Sequence, residues 1–157
     1  MKAASLNDIK KELNSLEPSK VFDLCLRLAR FRKENKELLS YLLFDAQDEK
    51  AYIQAVKEEM SELFVGIHTI NMYYAKKNLR KILKVVTKYI KHSGNTETEI
   101  ELLIYYCGKI KESKINIHHH PVLTNLYNAQ IKKINKAISK LHEDLQYDYQ
   151  QELEKIN

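Results

Sequence analysis

Apolar residues recur every three or four positions along nearly the whole chain, and no stretch sustains the strict alternation of a half-buried strand. The period predicts a first helix from Ser5 or Asn7 to about Leu16, with Leu6, Ile9, Leu13 and Leu16 buried. Pro18 suits the first turn of a second helix, where its missing N–H costs nothing. Val21, Leu24, Cys25, Leu28 and Phe31 form the stripe of that helix up to a break at Glu34 and Asn35. A third helix is expected over about Lys36 to Ala46, with Leu38, Leu39, Leu42 and Leu43 inward. Asp48 then caps a fourth, whose stripe runs Tyr52, Val56, Met60, Leu63, Ile67 and Ile70.

After Asn71 the pattern predicts a helix over 72–93 that stops at Gly94. Thr96 and Glu99 match a capping box for the next helix, which buries Ile100, Leu103, Ile104 and Cys107. Ser113 to His120 reads as the one clear loop, closed by Pro121. From Val122 to Ile156 neither Pro nor Gly occurs. Tyr127, Ile131, Ile134, Ile138, Leu141, Leu145, Tyr149 and Leu153 recur at the spacing of a narrow seam. One long C-terminal helix is the preferred expectation, against two helices broken near His142. Ile131, Ile134, Ile138, Leu141 and Leu145 would then pack internally or against a second copy.

These elements add up to an all-α protein of seven or eight helices in antiparallel pairs, arranged as a short α-solenoid or an irregular bundle. With 157 residues, 44% of them apolar, the chain is expected to form one domain over 1–157. Three glycines and two prolines leave too few turn residues for an all-β fold and too little glycine for a phosphate-cradling loop. Residues 79–90 (LRKILKVVTKYI) and 131–142 (IKKINKAISKLH) align without gaps. A true repeat with a period of 52 residues would indicate stacked helical pairs. Shared composition of two Lys-rich amphipathic helices explains the likeness equally simply.

Charge adds one distinctive feature. The helix over 72–93 carries Lys76, Lys77, Arg80, Lys81, Lys84, Lys88 and Lys91 and no acidic residue. At 100° per residue these side chains share an arc of roughly 140°, opposite the apolar one. Lys77, Arg80, Lys81, Lys84, Lys88 and Lys91 are therefore the candidate contacts for a polyanion or partner, with Tyr73, Tyr74 and Tyr89 as stacking groups. Four phosphate contacts on duplex DNA would give a slope of log K against log salt near about −3.6. Two further explanations compete: a plain solvated surface, or neutralisation by the acidic segments 96–113 and 141–157 within the fold or a dimer.

Other chemistry is thin. His118, His119 and His120 adjoin in the loop, but no CxxC, HExxH or acidic companion lies beside them, so no metal site is expected. No Glu stands three residues before a His, which removes the di-iron pattern of helical bundles. Asp144, Asp148 and Glu152 form an acidic row that reads as a solvated face. No local motif sets a nucleophile beside a base, so neither catalytic residues nor cofactors are expected. Cys25 and Cys107 are isolated, and each is expected to be a buried thiol in a reducing cytosol. The N-terminal residues lack the apolar run of a signal peptide, and no segment is long and apolar enough to span a bilayer.

The stretches Leu24 to Ala46, Tyr73 to Lys84 and Leu141 to Lys155 resemble segments of a family of all-helical bacterial proteins found mainly among Bacteroidetes. The resemblance implies a bacterial cytoplasmic protein and carries over no activity and no site residues. A fainter likeness to HEAT or TPR repeats rests only on paired amphipathic helices. The reading taken to the structure is a non-enzymatic interaction or scaffold module with a protein partner or self-association and no membrane. Polyanion (RNA or DNA) binding through the 72–93 helix is the alternative, and an enzyme of unrecognised type is the remote one.

Overall fold

A computed structural model describes residues 1–156. It is all-α, with eight α-helices and no strand among the described residues: α1 (Leu6–Ser15), α2 (Pro18–Phe31), α3 (Lys33–Ser40), α4 (Glu49–Val65), α5 (Met72–Ser93), α6 (Thr96–Glu112), α7 (Pro121–Ile138) and α8 (Glu143–Glu154). A π-turn over Tyr41–Asp45 follows α3, and a 3₁₀ turn over Ile117–His119 precedes α7. The chain divides into two compact units, Met1–Phe44 and Asp45–Asn157.

The second unit holds the core. α6 is its centre, packing on α4, α5, α7 and α8. Ile100, Leu102, Leu103, Tyr106, Cys107 and Ile110 of α6 are all buried and span roughly 160° of its circumference. α4 contributes Tyr52, Ile53, Val56, Met60 and Phe64; α5 contributes Ala75, Leu79, Ile82 and Val86. The helical face expected from the sequence at Tyr52, Val56 and Met60 is correct. The helix nevertheless stops at Val65 before Gly66, so Ile67 and Ile70 lie outside it and Ile70 is exposed.

The C-terminal segment is two helices, not the single long one preferred from its pattern. Ser139 to His142 interrupts it although neither Gly nor Pro is present. Side chains supply the break. Ser139 Oγ donates to the Lys136 carbonyl (2.7 Å), and Gln146 Nε2 donates to that of Leu141 (2.7 Å). Carbonyls that a continuous helix would bond through its own amides are thus occupied. Residues 79–90 are helical throughout while 131–142 leave the helix after Ile138, so the two similar stretches differ in structure. Ile134 and Ile138 are buried, and Ile131, Leu141 and Leu145 half-buried, so the seam packs within the chain.

The first unit is built differently. α2 and α3 pack on each other, and α1 packs on neither to a comparable extent. Arg32 separates α2 from α3, two residues earlier than expected. Asn35, read from the sequence as a breaker, acts backwards: its Nδ2 donates to the Leu28 carbonyl (2.8 Å) and closes the end of α2. The apolar stripes form as expected but are not covered. Tyr41 is the only buried residue of the unit, and Leu6, Ile9, Leu13, Phe22, Leu24, Leu28, Phe31, Leu38, Leu42, Leu43 and Phe44 are exposed.

Candidate functional site: the basic face of α5

α5 owes its position to its ends and its apolar stripe. The Asn71 side chain accepts from the Tyr73 and Tyr74 amides (3.0 and 3.3 Å), satisfying two of the free N–H groups of the first turn. Gly94 closes the other end with φ +65°, a left-handed conformation that costs glycine nothing. Between them Ala75, Leu79, Ile82 and Val86 are buried, which fixes the rotation of the helix about its axis. The basic arc is consequently turned outward.

Lys77, Arg80, Lys81, Lys84 and Lys91 are exposed, and among the described residues none has a carboxylate within 4.0 Å. Lys76 is half-buried with its Nζ 5.8 Å from the Tyr73 ring centre. Lys88 is also half-buried, 5.0 Å over the Tyr89 ring. For those five cations, pairing with a carboxylate of the same chain, one of the explanations open from the sequence, is absent among the described residues. Three of the four acids of α6 are engaged elsewhere: Glu101 pairs with Lys57 (2.9 Å), Glu97 accepts from the Tyr149 hydroxyl (3.1 Å), and Glu112 pairs with Lys109 (3.0 Å). On α8, Asp144, Asp148 and Glu152 are exposed.

Of the three tyrosines expected as stacking groups, two are exposed. Tyr73 and Tyr74 are 64% and 47% exposed and meet edge to face at 5.4 Å between ring centres; His68 lies 5.4 Å from Tyr74. Counting 100° per residue, Tyr73 falls within the cationic arc itself. Tyr89 is a structural residue instead. Its hydroxyl donates to Glu59 (2.6 Å), its carbonyl accepts from the Tyr52 hydroxyl (3.0 Å), and its ring meets that of Tyr52 edge-on.

The remaining candidates resolve simply. The three adjacent histidines lie on the 3₁₀ turn and at the start of α7, where the Thr124 hydroxyl is tied to the Ile117 carbonyl (2.5 Å). No group of three His, Cys, Asp or Glu side chains converges to hold a metal among the described residues. Cys107 is fully buried as expected, and burial pushes its thiol up to about 12. Cys25 is exposed, contrary to expectation, because nothing covers its stripe. A shallow depression of about 340 Å³ beside Ser61, Phe64, Thr69 and Ser113 carries the Lys109–Glu112 pair. An apolar groove of about 230 Å³ lies in the first unit, lined by Cys25, Leu28, Ala29, Asn35, Leu38, Leu39 and Leu42. Sequence periodicity marks most of these residues, but as core. No described helix is long and apolar enough to cross a membrane. Compared with protein-family models, curated proteins and solved structures, the chain matches none.

Proposed function

We propose that this protein is a non-enzymatic binding module that takes a polyanion, nucleic acid foremost, on the outward face of α5. The observation that supports the reading is the open strip: five exposed cations on one helix with no carboxylate within reach. Lys77 and Lys91 stand about 21 Å apart along the axis, enough to follow several successive phosphates. Tyr73, exposed on the same arc, offers a ring to an unstacked base, which favours a single strand over a duplex. The two cysteines, free and far apart in sequence, suit a reducing cytoplasm, which is part of this reading.

The test is fluorescence anisotropy with single- and double-stranded RNA and DNA at two salt concentrations. Binding should weaken steeply with salt, with a slope near about −3.6 if four phosphates are neutralised on a duplex and shallower on a single strand. An Arg80/Lys81/Lys84→Glu variant should lose binding while keeping its helicity. Unchanged affinity in that variant, or no binding by the wild type at low salt, removes the reading. An interaction module working through protein contacts is the second reading, supported by the uncovered apolar faces of α1 to α3.

A further inference from the structure

Leu6, Ile9 and Leu13 of α1 together with Leu28, Leu38 and Leu42 of the α2–α3 groove present, at roughly 100 Å² each, on the order of 600 Å² of exposed apolar surface. A standard interface takes about 800 Å² from each partner, roughly 60% of it apolar, so these side chains alone can supply its apolar part. The unit that carries this surface has 44 residues and one buried side chain, Tyr41. Units of that size normally complete their core through metals, disulfides or association. It has no disulfide and no metal cluster among the described residues.

The surface also has two complementary halves. One is concave: the α2–α3 groove, whose walls include Cys25 and Leu28 on one side and Leu38 and Leu42 on the other. The other is a ridge: Leu6, Ile9 and Leu13 at i, i+3 and i+7 along α1, which buries none of its residues. Leu6 to Leu13 covers about 10 Å of helix, as does Asn35 to Leu42 along the groove. Leu16 and Glu17, the link between α1 and α2, are both extended (ψ 149° and 143°), and α1 packs on neither α2 nor α3 to the extent that these pack on each other.

We infer that residues 1–44 are a homodimerisation arm, in which α1 of each copy seats its Leu6–Ile9–Leu13 ridge in the α2–α3 groove of the other. The exchange is reciprocal, so one two-fold axis closes both seats and leaves no open end for a filament. The area is the argument for a second copy: ridge and groove occur once each per chain, and pairing two chains fills both.

Sedimentation velocity on the full chain tests this. The wild type should be a dimer at tens of micromolar. Ile9→Asp and Leu28→Asp each place a carboxylate in the seat at a position exposed in the single chain, so the fold and far-UV spectrum should be unchanged. Each should weaken dimerisation by about 30- to 1,000-fold. Mixing the two variants should restore a dimer, because one seat of the mixed pair joins an intact ridge to an intact groove. A wild type monomeric at 100 micromolar, a dimer indifferent to both substitutions, or no recovery on mixing overturns the proposal. So does a monomer whose arm binds neutral lipid vesicles.

Discussion

The Tyr106 hydroxyl donates to the Leu79 backbone carbonyl across 2.8 Å at the buried centre of the second unit. Both residues are fully buried, and the bond ties α6 to α5 at the level where the cationic face is turned outward. Tyr106→Phe keeps the ring, including its contact with Phe64 at 5.9 Å, and deletes only the donor. Loss of a single neutral hydrogen bond should cost about 1 kcal/mol, read as a lower urea midpoint at unchanged m-value.

Alkaline pH should act through the same centre. Burial raises the Tyr106 phenol far above its usual 10.0, and it raises the Cys107 thiol from 9.0 to about 12. Between the unfolded and folded values the native state holds protons that the unfolded chain has released, so stability falls as pH rises. It is fully present below about pH 8.5 and declines above the unfolded thiol value. Chemical denaturation at pH 8 and pH 10.5 should show a clear loss, smaller in Cys107→Ala than in the wild type. An equal loss in the variant would exonerate the thiol.

Capping chemistry made the basic helix readable. Asn71 offers a side-chain acceptor to the first amides and Gly94 adopts a left-handed conformation that few other types take, so both ends of α5 are marked by residue type. The start of α6 is less legible: Asn95, not Thr96, accepts from the Glu97 amide (2.8 Å), because the residue one step earlier offers an equally good acceptor. The break in 139–142 was hidden because side chains of Ser139 and Gln146 make it, and neither type marks a helix end by itself.

The first unit shows the limit of periodicity. Leu24, Leu28 and Phe31 fall on one face as the spacing requires, yet all three are exposed. A 3.6-residue period reports that a helix has an apolar side; it contains nothing about what covers it. For α5 the same period located the cationic arc, but that Glu97, Glu101 and Glu112 pair elsewhere depended on the tertiary placement of Tyr149, Lys57 and Lys109.

Gln130 is a site of avoidable cost. It is 3% exposed, and among the described residues its Oε1 has no hydrogen-bond partner, while Nε2 donates to the Leu126 carbonyl of its own helix. An unsatisfied buried acceptor costs roughly 1–3 kcal/mol. Gln130→Leu, of similar volume, should therefore stabilise the protein by about 1 kcal/mol and raise Tm by a few degrees. A lower Tm would mean that the amide has a partner in solution.

Gly94 permits a clean backbone measurement. Its φ is +65° and a Cβ there would meet nothing within 4 Å, so Gly94→Ala adds conformational strain without a clash. Destabilisation of about 1 kcal/mol is expected, and Gly94→Asn should recover part of it because Asn tolerates the left-handed region. Equal losses in both variants would point to a steric origin.

The cationic strip should weaken the fold that displays it. Lys77 and Lys81, Arg80 and Lys84, and Lys84 and Lys88 are like-charge pairs at i, i+4, each unfavourable by roughly 0.2–0.5 kcal/mol. Lys84 belongs to two of them. Lys84→Glu turns both repulsions into attractions and should raise Tm by a few degrees at low ionic strength. The gain should shrink at 1 M salt, where the screening length is about 3 Å. If nucleic acid binds this face, the same substitution should weaken binding while it stabilises the helix, the opposite signs expected where charge is held for a partner and not for the fold. A variant that loses both stability and affinity would place Lys84 among the residues that hold α5 together.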